Sequence, residues 1–504
     1  MGNVLVKEET LTQIADAIRE KSGSGDSYRP GEMPEAILEI STYSGEGADP
    51  NKPVKFWGMD GELLYSYSLG EIASMEALPP LPEKNGFICQ GWNWSLDSLQ
   101  YAEREIDVGA IFITDDGSTR IYINLISSTL DVVLGFGQSE ANTVQVDWGD
   151  GSPTERSDVS GIYKTVAMPH SYKEVGNYVI KLIPDEGAKI CLLGADTKTS
   201  ILRGSREENR SEKAYQSAIR KVEIGACVER LYHYSCVMPA LERLTIPQNV
   251  LYIDAAFEGS KKIEFLTLPN GITKLENRLF SNCTALKRIC FPDTNILEMG
   301  TSCFHNCISL ENVTFPDTVT DLYSYLLGTC QSLKKFVAPK GLDYICSSMF
   351  YGCTNLREVI MHDDVATIQD SAFASCGSLE KIALPARLER ISNQMFSHCE
   401  SLREVIIPDD VKEIGQNAFS YCYALSAMTI PINVSTIGQN AFGSCYGIKD
   451  YYFYPIEPPT LSSNNTFQYI TSNCKIHVPK GCLEAYQTAE YWSEYADHMV
   501  EMEE

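Results

Sequence analysis

Residue types capable of chemistry recur along this chain at fixed intervals. Cys283, Cys307, Cys330, Cys353, Cys376, Cys399, Cys422 and Cys445 are separated by 24 residues once and then by 23 residues six times. Proteins use thiols as nucleophiles, metal ligands or disulfide partners. Bridge partners would not be spaced as equals along 160 residues, and no Cys-x-x-Cys pair is present. Each of the eight has an apolar residue three positions later, among them Leu286, Leu379 and Ile448, and Phe or Leu three positions earlier. That pattern refills one core slot per coil of a solenoid, whose units bury their faces only against neighbours. A free thiol suits such a corner as a small hydrophobe with a weak donor, and Ser260 takes the same place in the string FEGS.

Other candidates for chemistry resolve in the same direction. Seven histidines are scattered, and HExxH, GxSxG, GxxxxGK[ST] and GxGxxG are all missing, although a site assembled by the fold needs no such string. The double acids Asp363-Asp364 and Asp409-Asp410 invite a glycan-hydrolysis reading, which takes two carboxylates. Both follow a strand, where Asp bonds nearby backbone N–H groups and where other coils carry Asp317 or Asn270, so a turn role is expected. Asp147 and Asp150, candidates for Ca²⁺ ligation or paired-acid catalysis, are read the same way. Trp92 and Trp94 could stack on a sugar, yet such tryptophans more often fill a core. The expectation is a protein without catalytic residues, metal or cofactor.

The elements that position the ladder are short. Runs such as Val359-Ile-Met361, Ile382-Ala-Leu384 and Val405-Ile-Ile407 alternate as one strand per coil. Pro247, Pro269, Pro292, Pro316, Pro339, Pro385, Pro408 and Pro431 stop most of them, since proline cannot donate to a ladder. A second apolar pair follows, for instance Val411 and Ile414, and then the Phe box. The coil Leu402 to Cys422, LREVIIPDDVKEIGQNAFSYC, resembles the BspA-type leucine-rich repeats. About ten coils at about 4.8 Å each predict a rod near 50 Å. The resemblance implies binding to proteins or sugars on cell surfaces. The segment 474–504 looks like that family's terminal strand and closing helix, which cover the last open edge.

At 504 residues the chain exceeds what one core supports. With 44% hydrophobic and 21% charged residues and a mean hydropathy of -0.16 it can bury a core throughout. A net charge of -26 without a Lys/Arg cluster argues against nucleic acid. No run of about 18 apolar residues is present, and the start MGNVLVKEETLTQ lacks a basic region followed by an apolar stretch. Neither a signal peptide nor a membrane anchor is expected. Val6 stands where a myristoylation motif needs Ser or Thr, and the 17 cysteines are expected to be reduced thiols.

The expected fold is multidomain and mainly β. Residues 1–43 read as a short helical attachment module: Thr10 and Gln13 form a capping box, Leu11, Ile14, Ala15 and Ile18 one stripe, Gly23 and Gly25 the stop, and Pro34 a second start. This stretch resembles a module near the start of phage tail and fibre proteins. A linker covers 44–53. Residues 54–113 form a small β domain, similar to the repeat of internalin stalks through Gly86-Phe87-Ile88-Cys89-Gln90-Gly91-Trp92. Residues 114–196 alternate as a β-sandwich and resemble a PKD-type domain through VDWGDGS and HSYKEVGNYVIKL. Residues 197–218 lead into the solenoid at 219–473, and 474–504 cap it.

The surface expected to bind is the outward row of stacked strands, with Thr314, Lys335, Ile360, Lys381, Ile406, Thr429 and Tyr452, together with Tyr446 and neighbouring tyrosines at the C-terminal end. Modules resembling extracellular recognition parts, on a chain without an export signal, point to a phage tail-fibre or receptor-binding protein. It would be assembled in the bacterial cytoplasm, attached to other virion proteins through residues 1–43, and would bind a host surface protein or glycan through the solenoid. A homotrimer is conceivable by analogy with fibres, although no heptad run supports one. The alternatives are a head decoration, a bacterial surface adhesin and a surface-glycan depolymerase.

Overall fold

The computed structural model describes residues 53–503 apart from 139–142, 158–163, 193–200, 205–213, 216, 232–237, 254–256 and 294–295. The helical module expected over 1–43 lies outside the described residues, as does all but the last residue of the linker.

The small β domain forms a four-stranded sheet in the order Leu63–Tyr67, Val54–Trp57, Ile106–Thr114, Phe87–Trp92. Val54–Trp57 runs parallel to Ile106–Thr114, so the connection between them must cross over, and it carries two short helices, Leu69–Ala73 and Leu96–Gln100. Ser68 and Glu71 close a capping box on the first helix. The core gathers Val54, Phe56, Ile72, Trp92, Leu99 and Val108.

Next come two packed sheets. One places Thr119–Leu125 between Gly176–Pro184 and Ile219–Glu223, and the other centres on Asp131–Gln138, paired with Lys164–Ser171, Leu202–Gly204 and Ile190–Leu192. Strict alternation in TRIYINL buries Thr119, Ile121, Ile123 and Leu125 against the facing sheet. Gly149 and Gly151 have φ of 75° and 82°, which the tight turn after Asp147 requires. Asp147 Oδ1 accepts from the Gly149 N–H and Asp150 Oδ1 from that of Ser152, as expected for turn aspartates.

The sandwich does not end where the solenoid begins. Ile219–Glu223 pairs antiparallel with Thr119–Leu125 on one side and parallel with Arg243–Thr245 on the other. In the second sheet Val228–Leu231 lies parallel to both Ile190–Leu192 and Tyr252–Ile253. Both rows of the solenoid are therefore prolongations of the sandwich sheets, and one hydrophobic core runs from Ile121 to Met499. The sandwich thereby covers the solenoid's first open edge.

The solenoid has about 12 turns, more than the ten expected. The count grows because the terminal segment is more than a lid: Lys475–Val478 pairs with Asp450–Phe453, and after the helix Leu483–Thr488 the chain returns as Met499–Glu501 to pair with Lys475–Val478. Inside, the phenylalanines stack face to face coil upon coil, Phe350 on Phe373 at 5.4 Å and Phe373 on Phe396 at 5.6 Å. The cysteine ladder stands beside them. All eight thiols are buried and unbridged. Each donates to the carbonyl of the Phe or Leu one coil earlier, as Cys376 Sγ does to Phe350 O at 3.2 Å and Cys353 Sγ to Leu327 O at 3.2 Å. Burial pushes Cys353, Cys399 and Cys445 up to about 12, so the thiol keeps its proton and its weak donor.

Candidate recognition face

The outward strand row is built from residues at alternate positions of each short strand. Val359, Ile382 and Met428 point inward and are buried, whereas Ile360, Ala383, Ile406 and Thr429 point out. Along this row the chain's own small β domain covers the first part. A Cβ on Gly109 would collide with Thr267 Oγ1 and approach Cys290 Cβ to 2.9 Å, so only glycine lets the strand backbone lie on those coils. Cys290, at the outward position of its strand, is for this reason buried.

Three side chains of the small domain cap strand-end carbonyls on successive coils. Asn93 Nδ2 donates to Leu268 O at 3.3 Å and Cys290 O at 3.2 Å, Trp94 Nε1 to Phe291 O at 2.8 Å, and Arg104 Nη2 to Phe315 O at 2.5 Å. Ion pairs frame the contact. Arg288 bonds Asp107 at 2.8 Å while lying 4.1 Å from the Trp57 ring, Arg104 meets Asp317 at 2.8 Å, and Lys340 meets Glu103 at 2.8 Å. Trp92 and Trp94 are both buried, the first in the small domain's core with Nε1 on Pro79 O and the second in this contact. Sugar stacking on either is thereby excluded.

Beyond Lys340 the row is open. The ladder lapses between Glu358–Ile360 and Lys381–Ile382 and again between Glu404–Val405 and Ala427–Ile430. Over these coils lies a trough of about 790 Å³, with Ile360 and Ile406 as its apolar shoulders, Ala383 between them, and Arg357, Lys381 and Asp409 at its rims. The depression follows from sequence: a methyl group stands where the neighbouring coils carry isoleucine. Ile406, 74% exposed, and Ile360, 42% exposed, supply most of the trough's apolar surface.

The residues expected to bind are thus partly brought together. Ile360, Lys381 and Ile406 line the trough. Thr314 and Lys335 line a separate small recess beside Arg104, at the edge of the covered zone. Thr429 and Tyr452 are in register on the next pair of strands, where Tyr452 stacks on His477 at 4.5 Å. Tyr446 is not on the row: it follows the Cys445 corner and stacks on Tyr423 at 5.9 Å. Among the tyrosines neighbouring Tyr446 that were expected to bind, Tyr451 points inward opposite Met428 and is buried. Asp409 and Asp410 lie on the trough rim, in the turn after the strand. Among the described residues no group of three His, Cys, Asp or Glu side chains could hold a metal ion, and no helix is long and apolar enough to cross a membrane. Asn93 and Arg104 had no signal in the sequence, since the carbonyls they cap exist at every residue.

Residues 229–357 and 322–449 match the BspA type leucine rich repeat region, in six copies. No curated protein matches the chain. Among solved structures it is similar to a leucine-rich repeat protein from Bacteroides ovatus, at 26% identity over 57% of this chain and 82% of that one, with a TM-score of 0.45. It is also similar to a leucine rich cell surface protein from Faecalibacterium prausnitzii, at 22% identity over 50% and 83%, with a TM-score of 0.34. A third is the pneumococcal vaccine antigen PcpA, at 17% identity over 55% and 74%, with a TM-score of 0.37.

Proposed function

We propose that this chain is a non-catalytic recognition protein of the surface-adhesin kind, in which the solenoid presents the uncovered half of its outward strand row to a macromolecule on a cell surface. The observation that carries the reading is the trough at Ile360, Ala383 and Ile406. A partner that covers the trough buries the exposed Ile360 and Ile406 together with the Ala383 methyl group, and contiguous apolar surface of this kind marks interaction sites. The match of residues 229–449 to a BspA type repeat region supports the same reading. A place on a virion was expected from recognition-like modules on a chain without an export signal and from the likeness of residues 1–43, which lie outside the described residues; the comparisons add nothing to it, so the adhesin reading is preferred.

The test is binding of the full-length protein to intact bacterial and epithelial cells. Ile406→Lys and Ala383→Trp, both at exposed positions, are expected to leave folding intact and weaken cell binding by about tenfold or more, the effect of losing a central contact. Binding unchanged in both variants refutes the trough as the recognition surface. Release of new reducing ends from surface glycan incubated with the protein would overturn the non-catalytic part.

A further inference from the structure

The small domain holds the solenoid through two kinds of acceptor on each coil it covers. One is the carbonyl just before the proline that stops the strand, and the other is the aspartate just after that proline. Arg104 Nη2 lies between Phe315 O at 2.5 Å and Asp317 Oδ1 at 2.8 Å. One coil earlier Trp94 Nε1 donates to Phe291 O at 2.8 Å, while the N–H and the hydroxyl of Ser95 both donate to Asp293 Oδ2 at 2.9 Å. A guanidinium suits the Phe315 seat, because its fork of donors can serve a neutral carbonyl and a carboxylate together and the bond to the carboxylate is charge-assisted.

The same pair of acceptors recurs beyond the small domain. Met361 and Ile407 hold the place of Phe315 in the repeat, and Asp363 and Asp409 hold that of Asp317, each opening the turn after its strand. Lys340 and Ala386 stand there on the coils between, so the carbonyl repeats at every coil but the aspartate does not. Among the described residues no donor reaches the carbonyl of Met361 or Ile407, and no cation pairs with Asp363 or Asp409. Arg387 pairs instead with Asp364 at 3.9 Å, and Lys412 with Glu389 at 3.2 Å. Of the two seats, the one at Asp409 borders the trough, together with Ile406, Pro408 and Asp410. Arg357 and Lys381 stand at the other end of the strands, beside Glu358 and Glu404.

Resting on the trough's role in recognition, we infer that the partner is a protein that seats an arginine between Ile407 O and the Asp409 carboxylate. An aliphatic or aromatic side chain next to that arginine lies over Ala383, between Ile360 and Ile406. The guanidinium repeats the contact that Arg104 makes at Phe315 and Asp317 on the same row, and the apolar neighbour covers the trough. A neutral glycan could meet the carbonyl, but it would cover the carboxylate without a counter-charge, which is costly.

The test is selection of random linear peptides, displayed on phage, against the immobilised full-length protein, with the enriched peptides then titrated by fluorescence anisotropy. Enriched sequences are expected to carry an arginine beside an aliphatic or aromatic residue. Changing that arginine to lysine, or Asp409→Asn in the protein, should weaken binding about tenfold, as loss of one charge-assisted contact does. Asp410→Asn, which removes the same charge one position along the exposed turn, should change it less than about twofold. The arginine seat is refuted if no arginine is enriched, if Asp409→Asn binds as the wild type does, or if Asp410→Asn is equally damaging. In those cases the trough still stands as a recognition surface provided that Ile406→Lys lowers cell binding. If cell binding survives both Ile406→Lys and Ala383→Trp, that reading falls, and the arginine seat falls with it.

Discussion

Reactivity of the buried thiols tests the fold's central arrangement most directly. Take Cys353 at the middle of the ladder, fully buried and bonded through Sγ to Leu327 O at 3.2 Å. Burial pushes its pKa from 9.0 to about 12. Only the thiolate attacks an alkylating reagent, and three pKa units lower its population at pH 8 about a thousandfold relative to an unperturbed thiol. The reagent must also reach a sulfur with no exposed surface. Native labelling of Cys353 is therefore expected to proceed only through unfolding, with a rate independent of reagent concentration once closing is slower than alkylation. Cys89 and Cys482, which are half-buried, should label first. The assay is pulsed alkylation with iodoacetamide at pH 8, followed by peptide mass spectrometry that reads each cysteine separately. Labelling of Cys353, Cys376 or Cys399 in the native protein at the rate of Cys89 would refute the packed ladder. So would recovery of any two ladder cysteines as an oxidised pair.

Two further outcomes follow from charged contacts. At the sandwich turn, burial raises Asp150, but hydrogen bonds from Ser152 and His170 more than offset it and hold the carboxyl at about 2. A folded pKa below the ordinary 3.8 means that the group stabilises the fold above pH 4, and that this contribution is lost as pH falls from about 4 through 2. Asp150→Asn should flatten the acid limb of the stability curve by about 1 kcal/mol after allowance for solvent screening, and an unchanged limb in urea titrations between pH 2 and 5 contradicts this. Between small domain and solenoid, a double-mutant cycle on Asp107→Ala and Arg288→Ala is expected to give a coupling of about 1–2 kcal/mol, because the pair is largely covered and Arg288 also lies on Trp57. A coupling below about 0.3 kcal/mol would mean that the small domain does not sit on these coils in solution.

How much of this was legible in the sequence depends on the distance over which each feature repeats. The cysteine ladder, the phenylalanine stack and the proline stops share one period, and any residue that fills the same slot in each coil shows itself without a structure. Alternation within the strands also places Ile360 and Ile406 outward, and the register with Met428 places Tyr451 inward. The final strand, Met499–Glu501, has no signal in the sequence because the helix Leu483–Thr488 interrupts the repeat just before that strand resumes it. Pairing of Ile219–Glu223 with Thr119–Leu125 joins strands about a hundred residues apart through backbone bonds that any sequence can make. No local pattern records it.

The covered and open halves of the strand row belong to one surface, and this bears on how the open half works. On the covered coils, the contact comes from a glycine that lets a backbone approach and from Asn93, Trp94 and Arg104, which reach the carbonyls of Leu268, Phe291 and Phe315, the residues just before the prolines that stop the strands. The equivalent positions on the open coils are Met361, Leu384 and Ile407, followed by His362, Pro385 and Pro408. The same stop therefore repeats where no part of the chain lies over it, while Ala383 supplies the depression and the two isoleucines the apolar area. A surface that already holds one β domain through repeating carbonyls carries its acceptors onward at every coil. If the open half binds a partner as proposed, selectivity would come from the side chains that change along the row, Ile360, Ala383, Ile406, Thr429 and Tyr452, and from Lys381 beside them.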